Sequence, residues 1–241
     1  MRYACHASQL GTQMVSTIRD AVVQLGKTEV EERGYILLES DVSYKPSELA
    51  QLVQDCTMPE VANGITACVD TDLSVDVSTF QLNLASRTPH DPEMQFQDWV
   101  NNPLERTPYL ICEPLCNHGI NNLLDAGPKL NARPHIPGDN HPYWYISLVA
   151  DTPATIHIED ANSASANLLL AGAEKHWIVV HRSSAAKFEE CIRKEFKKSQ
   201  TCSEFVRHHN IVVGPSWLAK RGLIFEVVVQ RPGDVMCTMP G

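Results

Sequence analysis

The stretch Thr155-Ile156-His157-Ile158-Glu159-Asp160 decides the fold, and its first five residues alternate polar and apolar side chains. Alternation of this kind predicts a β-strand, in which successive side chains point to opposite faces. His157 and Glu159 are two residues apart, so such a strand presents both on one face, about 6 to 7 Å apart along the chain. The stretch therefore predicts an imidazole and a carboxylate side by side on one surface of a sheet.

An imidazole beside a carboxylate supplies two of the three ligands that non-haem Fe(II) oxygenases use. The same pair also occurs on solvent-facing strands without any function, and the spacing alone does not separate these two interpretations. Residues further along the chain add information. Asn167 follows His157 by ten residues and Lys175 follows by eight more, and Trp177 shares a face with Lys175 if that segment is also a strand.

The bulk composition predicts a globular protein. The chain has 241 residues, 43% of them hydrophobic, and a formal net charge of −9. We expect one large domain, or one and a half. No run of 18 apolar residues is present and the N-terminus lacks a long apolar stretch, so we expect neither a membrane span nor a secretory signal.

The cysteines indicate the redox environment of the protein, and its net charge indicates which kinds of partner it can bind. The eight cysteines are scattered, which predicts reduced thiols in an intracellular protein and no paired zinc motif. The acidic balance argues against direct binding to nucleic acid, because such surfaces are normally basic. An acidic surface is compatible with a basic peptide as partner.

Periodicity predicts many short strands with a few helices. Helices are predicted at 12–25, from 47, at 94–100 and at 184–198, and strands at 35–38, 65–77, 80–84, 109–112, 143–149, 155–159, 167–170 and 175–180. A final hairpin is predicted from 227–230 and 234–238 through Pro232-Gly233. Between 114 and 140 the chain is rich in Asn, Pro and Gly, which is typical of a long crossing loop.

The second half of the chain resembles the Jumonji-C (JmjC) family of Fe(II)- and 2-oxoglutarate-dependent dioxygenases, many of them histone lysine demethylases. The resemblance covers about 100 residues with the spacing kept. It is carried by residues 142–181, by the helix near 184–198, and by the segments Ser203–Arg207, Pro215–Gly222 and Gln230–Met236.

The resemblance implies a mostly β fold with flanking helices, the double-stranded β-helix of jelly-roll or cupin-like proteins. Residues 101–241 are then the JmjC-type barrel. Residues 1–100 are interpreted as its N-terminal flank of helices and strands, with a separate small module as the alternative.

The resemblance also implies roles for particular residues. His157 and Glu159 match Fe(II) ligands, and Lys175 matches the lysine that pairs with the distal carboxylate of 2-oxoglutarate. Further matches are Asn167 and Trp177 beside the cosubstrate, Tyr109 as a second carboxylate contact, and Tyr145 in the methyl-lysine pocket. Plain packing is an equally good account of Trp177 and Tyr145, and a bridging core amide is nearly as good for Asn167.

The sequence departs from the family at several positions. Ala154 and Ile156 stand where aromatic residues are frequent, which we expect to loosen the cosubstrate pocket, and Ser147 replaces a common glycine. The family's second His ligand follows the Pro-Gly at which this sequence stops, at Gly241. We therefore expect a fragment or a truncated product, with the last barrel strands missing.

Two functions remain open at this point. The first is oxidative demethylation of methyl-lysine on a histone tail or another protein in the nucleus, with protein hydroxylation as a close variant on the same fold. The second is a catalytically inactive JmjC module that binds chromatin or a partner.

Overall fold

The computed structural model describes residues 1–45, 47–49, 62–66, 69–75, 91–102, 108–112, 118–136, 138–147, 151–195, 206 and 211–240. The strands are β1 (Arg2–Cys5), β2 (Tyr35–Ser40), β3 (Ala62–Thr66), β4 (Val69–Val75), β5 (Pro108–Cys112), β6 (Trp144–Ser147), β7 (Ser165–Leu168), β8 (Lys175–Val180), β9 (Phe225–Gln230) and β10 (Asp234–Thr238). The helices are α1 (Met14–Leu25), α2 (Lys27–Arg33), α3 (Pro92–Asn101), α4 (Pro128–Asn131), α5 (Arg182–Glu195) and α6 (Pro215–Lys220).

The main sheet has the strand order β1-β2-β10-β7. β1 runs parallel to β2, and the other two pairings are antiparallel. Tyr35–Leu38 at the start of β2 is a continuous buried run, because the strand is flanked on both edges and covered on both faces. Ile36 and Leu38 pack into a cluster with Met14 of α1 and Val30 of α2, so one face of the sheet is covered by helices.

A two-stranded antiparallel sheet, β8-β9, covers the opposite face. Leu37 and Met236 of the main sheet form a cluster with Val228 of β9, and Trp177 of β8 packs against this cluster. The alternation along β2 therefore divides its side chains between a helical layer and a second β layer. The β8-β9 sheet therefore packs its candidate residue Trp177 against the main sheet.

A third sheet has the order β4-β3-β5-β6 and is antiparallel throughout. It confirms the strands predicted within 65–77 and at 109–112, and the one predicted from 143. The strand predicted at 80–84 lies outside the described residues.

The helices follow the predicted apolar spacing. α1 begins at Met14, buries Met14, Thr17 and Ala21, and ends before Gly26, whose φ of 89° favours glycine. α5 buries Phe188 and Ile192, which pack with Leu218 of α6 over the outer side of β8-β9. Among the described residues, no helix combines the length and the apolar character needed to cross a bilayer.

The predicted hairpin of 227–230 and 234–238 is wrong. Both strands exist, but β9 pairs with β8, whereas β10 pairs with β2 and β7. The turn at Pro232-Gly233 instead carries the chain from one sheet to the other, with the Asp234 N–H donating to the Arg231 carbonyl at 2.8 Å. Two alternating runs joined by a tight turn look the same in sequence whether they pair or change sheets.

The strand predicted at 155–159 is also wrong. Residues 152–159 have no regular strand assignment. The Ile156 N–H donates to the Ile211 carbonyl at 2.9 Å. A turn at 160–162 follows, with Ala161 and Asn162 at φ of 54° and 53°. An alternating sequence has the side-chain pattern of a strand, but a strand also needs backbone hydrogen bonds to a neighbouring strand.

The predicted fold class is confirmed at the level of a strand-rich protein with helices packed outside. Closure of the sheets into a barrel stays a prediction. The division near residue 100 also stays a prediction, although β1 and β2 pair within the sheet that contains β7 and β10.

Candidate functional site

His157 and Glu159 lie together on the segment before the 160–162 turn. The His157 Nε2 atom is 3.9 Å from the Glu159 Oε1 atom, and the two side chains are 49% and 33% exposed. The predicted presentation on one side of the chain is therefore found, although the segment is not a strand. The turn itself is closed by the Asn162 N–H, which donates to the Glu159 carbonyl at 3.1 Å.

The hydrogen bond of His157 determines which ring nitrogen is available. Its Nδ1 atom lies 2.8 Å from the Thr155 carbonyl oxygen, which only accepts hydrogen bonds. In the neutral ring the proton must therefore be on Nδ1, which leaves the Nε2 lone pair facing Glu159. A metal-binding histidine is commonly oriented by a backbone carbonyl in this way.

The two donors fit a divalent cation such as Fe(II) in chemistry and direction. Two ligands at right angles and about 2.1 Å from an ion are about 3 Å apart, so the 3.9 Å separation closes with a small side-chain adjustment. Among the residues that the structure describes, no group of three His, Cys, Asp or Glu side chains could hold a metal ion. Within the described part of the chain, His157 and Glu159 are therefore a candidate ligand pair and not a complete set of three.

Lys175 is the second candidate binding position. Its Nζ atom lies 4.4 Å from the centre of the Trp177 ring, a cation–π distance. Among the described residues, no carboxylate is within ion-pair distance of this ammonium. Desolvation by burial lowers the pKa of Lys175 to about 8, because a charge removed from water is disfavoured. An ammonium held in this state attracts an anion.

One fully buried residue connects the predicted cosubstrate residues, and sequence reasoning missed it. Gln230 pairs with Lys175 across the β8-β9 ladder and is 0% exposed. Its Oε1 accepts from the Trp177 indole N–H at 2.9 Å. Its Nε2 donates to the carbonyls of Asn167 at 2.7 Å and Asp234 at 3.0 Å. The available signal was a glutamine ending the otherwise apolar run Val227–Val229, since a buried amide needs partners.

Asn167 is partly buried in β7, where its backbone pairs with Met236 of β10. The structure thus brings Lys175, Trp177 and Asn167 into one cluster around Gln230. Among the described residues, no hydrogen bond or ion pair joins this cluster to His157 or Glu159.

The two candidate tyrosines lie in the third sheet. The Tyr109 backbone in β5 pairs with Ser147, and Tyr145 in β6 pairs with Ile111. The Tyr145 side chain is 55% exposed and meets Tyr143 edge to face at 6.5 Å between ring centres. An aromatic ring can contact a cationic group by cation–π attraction.

One expectation about the pocket requires correction. Ile156 packs with Ile178 and Val180 of β8 in the cluster under α5. These residues alternate with Trp177 and Val179, which pack against the main sheet. Ile156 therefore lies on the helix-covered side of β8 and does not loosen the pocket beside Lys175.

The fold and these two positions define a class: a layered β protein with a candidate metal pair on a connecting segment and a candidate anion site within a sheet. Residues 144–241 match the family described as "JmjC domain, hydroxylase". The family resemblance found in the sequence is confirmed over these residues.

Three relatives are similar over 106 residues, which is 44% of this chain. The chain is 35% identical to human "Probable lysine-specific demethylase 4F", 32% to rat "Lysine-specific demethylase 4D" and 33% to mouse "Lysine-specific demethylase 4B". The matched regions span 16%, 21% and 10% of the length of these relatives.

Proposed function

We propose that this chain carries the cosubstrate-binding part of an Fe(II)- and 2-oxoglutarate-dependent JmjC oxygenase that demethylates lysine in a protein. The observation that carries the proposal is Lys175, a desolvated ammonium without a described carboxylate partner, inside the segment that matches the family. The proposed setting is the double-stranded β-helix of the family, in the nucleus, with a methylated histone tail as the expected class of substrate.

Each residue has a proposed task in this reaction. Lys175 pairs with the distal carboxylate of 2-oxoglutarate, and the Trp177 ring holds the ammonium in position while excluding water. Asn167 offers an amide to the cosubstrate, and the backbone segment of Tyr109 brings a second contact to the same anion. Tyr145 contacts the methylated ammonium of the substrate.

His157 and Glu159 would hold the Fe(II). The chemistry that bound iron supplies in this class is the activation of oxygen for oxidation of a C–H bond, with 2-oxoglutarate as the second reductant. The Thr155 carbonyl keeps the His157 proton on Nδ1, so that Nε2 stays available to a metal. Glu159 brings the negative charge that partly balances the cation.

A second candidate is a JmjC module that binds a partner without catalysis. It is favoured by one observation, namely that the described residues offer two metal ligands and not three. The two candidates differ in whether 2-oxoglutarate binds in a metal-dependent way and is turned over.

Calorimetric titration of 2-oxoglutarate with Mn(II) in place of Fe(II) tests the proposal. We expect binding that disappears in His157→Ala and weakens strongly in Lys175→Met. Lys187→Met is the matched control, because Lys187 is an exposed lysine on α5 that donates to the Gly222 carbonyl. Absence of binding to the folded wild-type chain would overturn the oxygenase proposal and favour the non-catalytic module.

Turnover with Fe(II) separates the two oxidative reactions. Demethylation of a methyl-lysine peptide releases formaldehyde, whereas hydroxylation leaves a stable mass increase on the peptide. Formaldehyde together with succinate is the result that we expect.

A further inference from the structure

We propose that Gln230 is the positioning residue of the cosubstrate site: it fixes the Trp177 ring, and through that ring the Lys175 ammonium. The inference rests on the proposed function and deepens it, because it identifies the group that preorganises the anion-binding lysine.

The hydrogen bonds of Gln230 leave its amide a single orientation. Both Nε2 hydrogens are used by the carbonyls of Asn167 and Asp234, and Oε1 accepts from Trp177. Because carbonyls only accept and an indole N–H only donates, a flipped amide would lose all three bonds. A fully buried side chain with this set of partners does not change rotamer without leaving polar groups unsatisfied.

The partners of Gln230 come from different layers. Asn167 is in β7 and Asp234 begins β10, both in the main sheet, whereas Trp177 is in β8 of the second sheet. Gln230 therefore links the two sheets by side-chain hydrogen bonds, and no backbone ladder joins these sheets in the part of the chain that the structure describes. Its removal leaves the Trp177 indole N–H without this partner and removes a side-chain link between the two sheets.

The Trp177 ring is the element that acts on Lys175. The ammonium lies 4.4 Å from the ring centre, and the ring is held at its indole N–H by Gln230. A ring that rotates away removes the cation–π contact and admits water to the ammonium. The lysine then loses its defined position and its desolvation, and an incoming carboxylate must order it again.

The variant that tests this role is Gln230→Met, which keeps the approximate length and volume but removes all three hydrogen bonds. Ser165→Ala is the control, because it removes the 2.7 Å hydrogen bond between the Ser165 and Thr238 hydroxyls without touching Trp177. Gln230→Asn is the second variant if Gln230→Met does not fold, since it keeps an amide but shortens the reach by one methylene. Circular dichroism establishes folding in each case.

Two readouts report on position rather than stability. The four tryptophans give four indole N–H signals in NMR, and Trp177→Phe assigns one of them. We expect hydrogen exchange of that signal to become at least about tenfold faster in Gln230→Met. The titration midpoint of Lys175, followed at its side-chain carbon signals, should move from about 8 toward the ordinary lysine value.

The third readout is the affinity for 2-oxoglutarate with Mn(II), which should weaken roughly tenfold in Gln230→Met and stay unchanged in Ser165→Ala. Unchanged exchange and titration in a folded Gln230→Met variant would overturn the positioning role. If these two readouts change as expected but the wild-type chain does not bind 2-oxoglutarate, the proposed function fails while the structural part of the inference stands.

Discussion

The His157–Glu159 segment and the Lys175–Trp177–Gln230 cluster have opposite characters. The first is partly exposed and lies outside regular strands. The second lies within paired strands and is centred on a fully buried amide. The proposed anion position is therefore preorganised by the sheets, whereas the proposed metal position lies on a segment outside the regular strands. Substitutions in the first region should then change binding alone, and those in the second should change binding and stability together.

The largest expected effect comes from His157→Ala. Metal affinity, measured by titration with Mn(II), should fall by at least roughly 100-fold, because a direct ligand is lost. Loss of a residue that only hydrogen-bonds a ligand already costs up to that much. The free energy of unfolding should change by less than about 0.5 kcal/mol, since the side chain is 49% exposed.

His6→Ala is the control for this change, because His6 is exposed and pairs with Asp41 away from the segment. Equal weakening of metal binding in both variants would remove the distinction between the two regions.

The next effect is expected from Lys175→Met. We expect affinity for 2-oxoglutarate to fall roughly 30-fold, because the carboxylate loses its ion pair. The ligand-free chain should become more stable by roughly 1 kcal/mol at pH 7, because a desolvated cation is replaced by an apolar side chain. Denaturant unfolding measures the second effect, and a clear loss of stability would show that Lys175 has a structural partner.

The affinity for 2-oxoglutarate should depend on pH through the protonation of Lys175. Anion affinity should be constant below about pH 8 and fall by up to about tenfold per pH unit above it, as the ammonium loses its proton.

The stability of the ligand-free chain should respond with the opposite sign. Between about pH 8 and the ordinary lysine value the unfolded chain binds more protons, so this group's contribution to stability rises with pH. Calorimetry and unfolding across pH 7 to 10, with Lys175→Met as reference, test both signs. A profile unchanged by that substitution would contradict the assignment.

The smallest effect is expected from Ile158→Ser, between the two candidate ligands. Ile158 is 44% exposed, so its replacement should change stability by less than about 0.5 kcal/mol and leave Mn(II) affinity unchanged. A large loss of stability would mean that the segment is packed as tightly as the lysine cluster.

The spacing of apolar residues predicted the positions of helices and strands better than it predicted which strands pair. α1, β2, β8 and β10 fall where apolar spacing placed them, because periodicity depends on nearest neighbours along the chain. The hairpin of β9 with β10 failed, because the choice of edge depends on β2 and β7, which are distant in sequence. The strand at 155–159 failed for the same reason.

In the candidate site, too, local spacing predicted some features and contacts between distant strands decided the others. His157 with Glu159, and Lys175 with Trp177, were recognised from i to i+2 spacing, which brings side chains together in any extended segment. Gln230 was missed, because its importance comes from three partners on three other strands. Short-range order along the chain was enough to predict which side chains share a face, whereas their expected roles came from the family resemblance. Their burial, orientation and hydrogen bonds arose only when distant strands packed, because desolvation and hydrogen-bond satisfaction depend on all neighbours in space.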